Sequence, residues 1–224
     1  MKIAEIFYSV QGEGTLVGVP SIFIRTSGCN LRCSWCDTPY TSWNPEGEEL
    51  SISAILERTD EYKAARHVVL TGGEPMIAPG IVELADRLRA RGMHITIETA
   101  GTVWAAVACD LMSISPKLSN STPEGIFRGQ HERLRLQPEV LRRLVTDYDY
   151  QLKFVIARKE DLTEVQSMVS AIDVPAHKVV LMPEGISADV LNQRGAWIAE
   201  LCKEHGYRFS PRLHVHLYGN KRGT

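Results

Sequence analysis

Three cysteines within eight residues, Cys29, Cys33 and Cys36, constrain this chain more than any other feature of it. They punctuate the segment Cys29-Asn30-Leu31-Arg32-Cys33-Ser34-Trp35-Cys36, a C-x3-C-x2-C spacing. Thiolates are the ligands of iron–sulfur clusters, and this spacing lets one loop wrap three corners of a cubane. The remaining two cysteines, Cys109 and Cys202, lie far away among apolar neighbours and read as plain buried thiols. An odd total of five, three of them clustered, argues against a disulfide framework and for a metal or redox site.

No fourth cysteine and no histidine stands near the triplet. A structural zinc site closes with four ligands, usually as two pairs, so a zinc-binding interaction module remains only as an alternative of another class. A 4Fe–4S cluster on three thiolates leaves one iron with open coordination. The amine and carboxylate of an amino acid can fill that place, and S-adenosylmethionine (SAM) carries both groups at its methionine end. One electron passed to the sulfonium would then break a carbon–sulfur bond.

The rest of the sequence predicts the frame for such a loop. Short strands rich in Ile and Val are expected at Ser21–Thr26, His67–Leu70, His94–Glu98, Leu111–Ile114, Leu152–Ala157 and Lys178–Met182. Their lack of clean alternation is taken as the mark of strands covered on both faces. Between them lie helix faces: Ile81, Leu84, Ala85 and Leu88; Leu162, Val165, Val169 and Ile172; and Val190, Ile198 and Leu201. Ser51 and Ser187 are candidate N-caps. Strands alternating with helices imply right-handed βαβ units around a parallel sheet. Antiparallel extensions are expected at Ile3–Val10 and Arg212–Tyr218, and a polar, irregular stretch over 119–137. Polar loops follow the strands at Ser27–Asn30, Thr71–Pro75, Thr99–Gly101, Ser115–Lys117 and Pro183–Gly185. In parallel α/β folds one rim collects such loops and carries the site.

A net charge of −2 gives no bulk positive field for a nucleic-acid partner. No apolar run approaches a membrane span, and the N-terminus lacks the pattern of a signal peptide, so the cytoplasm is the expected location. The chain reads as a single domain over 1–224, with the N-terminal strand segment and residues 206–224 contributing to the site.

The triplet, with aromatic Trp35 before its last cysteine, resembles the radical SAM signature C-x3-C-x-φ-C, and Thr71-Gly72-Gly73-Glu74-Pro75 resembles that superfamily's GGEP motif. The segment Ser9-Val10-Gln11-Gly12-Glu13-Gly14, Cys36-Asp37-Thr38 and the C-terminal Ser210–His214 and Tyr218–Thr224 resemble the 7-carboxy-7-deazaguanine synthase family. The resemblance implies an α/β fold, a partial, open βα barrel of the radical SAM type, modified and reduced. It implies a carbon–nitrogen lyase that converts 6-carboxy-5,6,7,8-tetrahydropterin into 7-carboxy-7-deazaguanine with loss of ammonia, in 7-deazapurine (queuosine precursor) biosynthesis.

The same resemblance implies the site residues. Cys29, Cys33 and Cys36 hold the cluster. Trp35, Gly73, Glu74, Glu98, Ser115 and Lys117 bind SAM. Val10, Gln11, Gly12, Glu13, Arg25 and Thr71 bind the pterin, and Thr38 holds Mg²⁺. No side chain is assigned as catalytic, because the SAM-derived radical carries the chemistry. From the residues themselves, the rigid fork of Arg25 suits a carboxylate. Glu13 suits either pterin amino groups or bracing of its loop, Trp35 either core or cofactor packing, and Lys117 either charge near SAM or solvent. The resemblance also implies a flavodoxin- or ferredoxin-type electron donor and a homodimer. A glycyl-radical-activating enzyme shares the triplet and is the alternative within enzymes.

Overall fold

A computed structural model describes all 224 residues. In chain order its elements are β1 (Lys2–Val10), β2 (Pro20–Thr26), α1 (Pro39–Ser42), β3 (Glu48–Glu49), α2 (Ile52–Asp60), β4 (His67–Gly72), α3 (Ile81–Ala90), β5 (His94–Thr99) and β6 (Leu111–Ile114). There follow α4 (Arg128–Leu134), α5 (Pro138–Asp147), β7 (Tyr150–Ile156), α6 (Asp161–Ala171), β8 (Val179–Pro183), α7 (Ala188–His205), β9 (Arg208–Phe209) and α8 (Leu213–Tyr218).

One nine-stranded sheet takes the order β3-β1-β2-β4-β5-β6-β7-β8-β9. From β2 to β9 all neighbours are parallel, whereas β1 runs antiparallel to β2 with Ile6 opposite Ile24. The two end strands do not pair, so the sheet curves into a partial barrel without closing. Ile3–Val10 is thus the antiparallel extension its sequence implied.

The strands do alternate, contrary to the sequence reading. On β2, β4, β5, β7 and β8 one set of side chains packs under the helices: Ile22 and Ile24, Val68 and Leu70, Ile95 and Ile97, Leu152 with Phe154 and Ile156, and Val179 and Leu181. The other set faces the barrel interior, where Arg25, Thr71, Glu98, Ser113 and Lys153 line one cavity. Apolar interior side chains such as Phe23, Val69, Val155 and Val180 blur the pattern in the sequence.

Ile81, Leu84, Ala85 and Leu88 are all buried on α3 as their spacing requires. Ser51 Oγ accepts from the Ala54 N–H at 3.1 Å, and Ser187 Oγ from that of Val190 at 3.5 Å. On α6 the face is completed by Met168. On α7 it is turned by one residue, burying Leu191, Ile198 and Cys202 and leaving Val190 and Leu201 half-buried. Cys202 is buried and Cys109 half-buried.

Three expectations fail. Residues 119–137 include helix α4, anchored by buried His131, whose Nδ1 accepts from the Arg32 N–H at 3.2 Å. Arg212–Tyr218 is helix α8 instead of a strand. The edge of β8 is already taken by β9, and the Leu213 N–H is tied to the Gly12 carbonyl at 2.8 Å, which starts the helix there. No helix joins β5 to β6. Residues 100–110 lie instead against α5, with Gly101 (φ 71°) so close to Leu141 that a Cβ would sit 2.5 Å from its Cδ2. No helix is long and apolar enough to cross a membrane.

Candidate active site

The cysteine loop leaves β2 through Ser27 and Gly28 at the C-terminal rim of the sheet. Beneath it Leu31, Cys33 and Ala100 form a small apolar cluster that Cys29, Cys36 and Leu134 pack against. Burial pushes the Cys29 thiol up to about 11 and that of Cys33 to about 12. The Leu31 N–H bonds Cys29 Sγ at 3.3 Å, and Ser42 Oγ lies 3.2 Å from Cys36 Sγ. Positive charge from a metal is what would turn such buried thiols into thiolates. No three His, Cys, Asp or Glu side chains converge to hold a single metal ion. Three thiols on one loop fit a polynuclear cluster, in which each binds a different iron.

The Gly72–Gly73 turn packs onto this loop. A Cβ on Gly73 would lie 2.1 Å from the Gly28 oxygen and 2.8 Å from Cys29 Cβ, so only glycine permits the approach. The Glu74 N–H donates to that same Gly28 oxygen at 2.9 Å. The Glu74 carboxylate turns away from the cavity. Fully buried, it accepts from the N–H groups of Met76 and Ala100 and from Thr99 Oγ1, and thereby braces two rim loops. Glu74 itself is absent from the cavity lining, where its neighbours Gly72 and Gly73 stand.

One cavity of about 470 Å³ joins the cysteine loop to all the other expected site residues except Glu74, which does not line it. Trp35 stands on its wall, with Nε1 donating to the Asn120 carbonyl at 3.0 Å, and is not core. Lys117 Nζ donates to the carbonyl and hydroxyl of Ser115 at 2.7 and 2.9 Å, so it is held on the rim. Glu98 accepts from Gln11 Nε2 at 3.1 Å and from Thr71 Oγ1 at 2.9 Å, which ties the N-terminal segment to β4 and β5. Val10 and Gly12 complete that wall, and a Cβ on Gly12 would collide with His214 Nδ1. Thr38 presents its hydroxyl beside the loop, 3.3 Å from Thr41 Oγ1.

Two acids have prior partners. Glu5 accepts from Arg25 Nε at 2.7 Å and from the Tyr40 hydroxyl at 2.6 Å, so Arg25 is in an ion pair, but one inside the cavity instead of on the surface. Glu13 is bound by Lys153 Nζ and, at 3.0 Å, by Arg212 Nε. Burial alone would raise the Glu13 carboxyl; Lys153, Arg212 and His214 outweigh that and hold it well below the usual carboxylate range. Glu13 therefore braces its loop. Arg212 also reaches Asp37, which links the N-terminal segment, the cysteine loop and the C-terminal segment.

Sequence reasoning missed Lys153, Arg212 and Asp37. The signal for Lys153 was there: a lysine within the apolar run Leu152–Ile156 of a parallel strand is a buried charge that requires a partner. Asp37 and Arg212 lie in segments that carry the family resemblance, but their ion pairing left no local signal, because their partners are distant in the chain. Residues Asn220–Thr224 also line the cavity.

An open βα barrel with this cysteine loop on its C-terminal rim is a radical SAM enzyme, and the Radical SAM superfamily profile matches residues 23–118. Over its whole length the chain is 45% identical to the 7-carboxy-7-deazaguanine synthase of Rhodopirellula baltica and covers 89% of it. It is 44% identical to that of Halobacterium salinarum, covering 93%. The crystal structure of QueE from Escherichia coli superposes with a TM-score of 0.71 at 28% identity, over 95% of this chain and 94% of that one. The chain belongs to the 7-carboxy-7-deazaguanine synthase family. That membership displaces both the glycyl-radical-activating enzyme and the zinc module.

Proposed function

We propose that the chain converts 6-carboxy-5,6,7,8-tetrahydropterin into 7-carboxy-7-deazaguanine with release of ammonia. The observation that carries this reading is the single cavity whose wall joins the three cysteines to Gln11, Gly12, Arg25 and the C-terminal residues. Cys29, Cys33 and Cys36 would hold a 4Fe–4S cluster, which with SAM bound would supply the one-electron chemistry that starts the reaction.

The protein's own groups bind and orient. The Gly73 backbone, pressed against Gly28, would bind the methionine end of SAM, and Trp35, Glu98, Ser115 and Lys117 would hold its nucleoside. Gln11 and Thr71, each held by a hydrogen bond to Glu98, read the edge of a flat heterocycle. Glu5 occupies only Nε of Arg25, so the terminal guanidinium nitrogens serve the substrate carboxylate. Phe7 and Phe23, stacked at 5.0 Å, give the cavity an apolar wall that keeps water from a radical. Thr38 offers Mg²⁺ one protein oxygen, in keeping with an ion that retains its waters. A flavodoxin- or ferredoxin-type donor, a homodimer and the cytoplasm complete the reading.

The test is anaerobic reconstitution with iron, sulfide, SAM, a reductant, Mg²⁺ and the carboxypterin. Mass spectrometry should find 7-carboxy-7-deazaguanine, with a slower rate when Mg²⁺ is omitted. No product from protein carrying a full cluster would sink the proposal.

A further inference from the structure

We infer that His131 is a positioning residue for the iron–sulfur cluster: acting through the Arg32 backbone, its imidazole holds the cysteine loop in the shape that gathers Cys29, Cys33 and Cys36 on one wall of the cavity. The inference rests on the proposed function, whose chemistry starts from a cluster on those three thiols.

No residue from 119 to 134 belongs to the main hydrophobic core, and Leu134, the one apolar side chain of α4, packs against the cysteines. What this stretch gives the cysteine loop is hydrogen-bond acceptors. The Arg32 N–H donates to His131 Nδ1 at 3.2 Å, the Ser34 N–H to the Ser121 carbonyl at 2.8 Å and the Trp35 indole to the Asn120 carbonyl at 3.0 Å. The first donor sits between Cys29 and Cys33, the other two between Cys33 and Cys36. Ser121 and Asn120 offer main-chain oxygens, which almost any residue there would supply. Arg32 relies on a side chain, so its anchor depends on the identity of residue 131.

The ring is set up to accept. Ser121 Oγ donates to the Leu118 carbonyl at 2.6 Å and so receives the Nε2–H of His131, 3.0 Å away. This network places the one proton of a neutral imidazole on Nε2 and leaves Nδ1 as an acceptor. Burial keeps the ring neutral, with Arg135 and Lys117 adding to that effect and Glu132 opposing it. Leu31 and Cys33, on either side of Arg32, are buried, so an Arg32 N–H without its acceptor would reach water only by lifting the loop between the first two cysteines. Partners outside the ligand sphere orient metal ligands and tune both affinity and reduction potential. His131 stands one peptide group away from Cys33 in that role.

The test compares His131→Asn, whose side-chain oxygen takes the place of Nδ1, with His131→Gln, whose amide reaches the Nε2 position instead, and with His131→Leu. In the full chain before cluster loading, alkylation by iodoacetamide is followed at each cysteine by mass spectrometry. Cys33 should react about fivefold faster than in the parent in His131→Gln and His131→Leu, the worth of one lost hydrogen bond, and at the parent rate in His131→Asn. Buried Cys202, remote in the fold, should keep its parent rate in all three. After anaerobic reconstitution, the midpoint potential of the cluster should shift in His131→Gln and His131→Leu and match the parent in His131→Asn. If His131→Leu does not fold, the two amide variants decide. Asn and Gln variants that behave alike, or a Cys202 that speeds up together with Cys33, would overturn the inference and leave His131 a residue of the fold alone. A parent that makes no product from the carboxypterin yet shows both contrasts would refute the substrate reading and leave this one standing.

Discussion

Lys153 shows how one residue can hold a site that it does not advertise. Its side chain is 6% exposed and its ammonium binds Glu13, 140 positions earlier in the chain. Removing one member of a buried pair typically costs about 3–5 kcal/mol where it strands the other, and less here, where Arg212 stays on Glu13. Lys153→Met should therefore lower the melting midpoint. A double-mutant cycle with Glu13→Gln should give a coupling energy of at least ~1 kcal/mol, read from denaturant unfolding. Additive single and double variants would show that the pair is ornamental. Gly73 makes the opposite demand, for the absence of a side chain. Gly73→Ala forces backbone apart at the Gly28 oxygen, so the purified variant should carry clearly less iron per chain after reconstitution. Gly129→Ala on α4 meets nothing closer than 3.6 Å and should instead stabilise by up to ~1 kcal/mol. The residues legible in the sequence, Cys29, Cys33, Cys36 and the Gly72–Gly73 turn, announce themselves through local chemistry. Glu13, Lys153, Arg212 and Asp37 make a single unit only after the chain has folded, which no local pattern encodes.

At the scale of elements, the parallel strands were legible because each buries an Ile- or Val-rich face beneath helices. The helices α4 and α8 were not. Each buries one side chain only, His131 and Val215 respectively, and so leaves no periodic stripe. The ends of β4 and β5 away from the cysteine loop carry a further consequence. There His67 and His94 are register partners with rings 4.5 Å apart, and both Nδ1 atoms are buried without a hydrogen-bond partner. Burial, then the neighbouring imidazole, lowers the His67 pKa, while Asp110 opposes them weakly. The unfolded chain takes up protons near the ordinary imidazole value of ~6.5, and folded His67 only at lower pH. Between those values the unfolded state binds more protons, so stability falls as pH falls. Melting midpoints should drop from pH 7 to pH 5, and His94→Leu should flatten that slope. A parent profile flat over this window would remove the pair from any role in acid stability.

For the whole molecule, the sheet leaves its barrel open, and the two ends of the chain share the work of finishing the site. The core depends on neither the last six residues nor their contacts: none of Gly219–Thr224 is buried. Arg222 nonetheless reaches back across the molecule to Glu46 at 3.0 Å, to the Ala4 carbonyl at 3.2 Å and over the Tyr40 ring at 4.1 Å. Its side chain is 47% exposed, so these ties contribute little to global stability. What they fix is position. They hold Asn220–Thr224 along the cavity beside Glu5, the ion-pair partner of Arg25, on the wall assigned to the pterin. Deleting residues 219–224 should therefore leave the melting midpoint within a few degrees of the parent. It should weaken carboxypterin binding by about tenfold or more, roughly 1.4 kcal/mol. SAM binding should be unaffected. Equilibrium titrations of the shortened and parent proteins with each ligand separate the outcomes. Equal weakening of both ligands would mean that the segment supports the whole rim, and unchanged pterin affinity would mean that the open barrel needs no strap at its mouth.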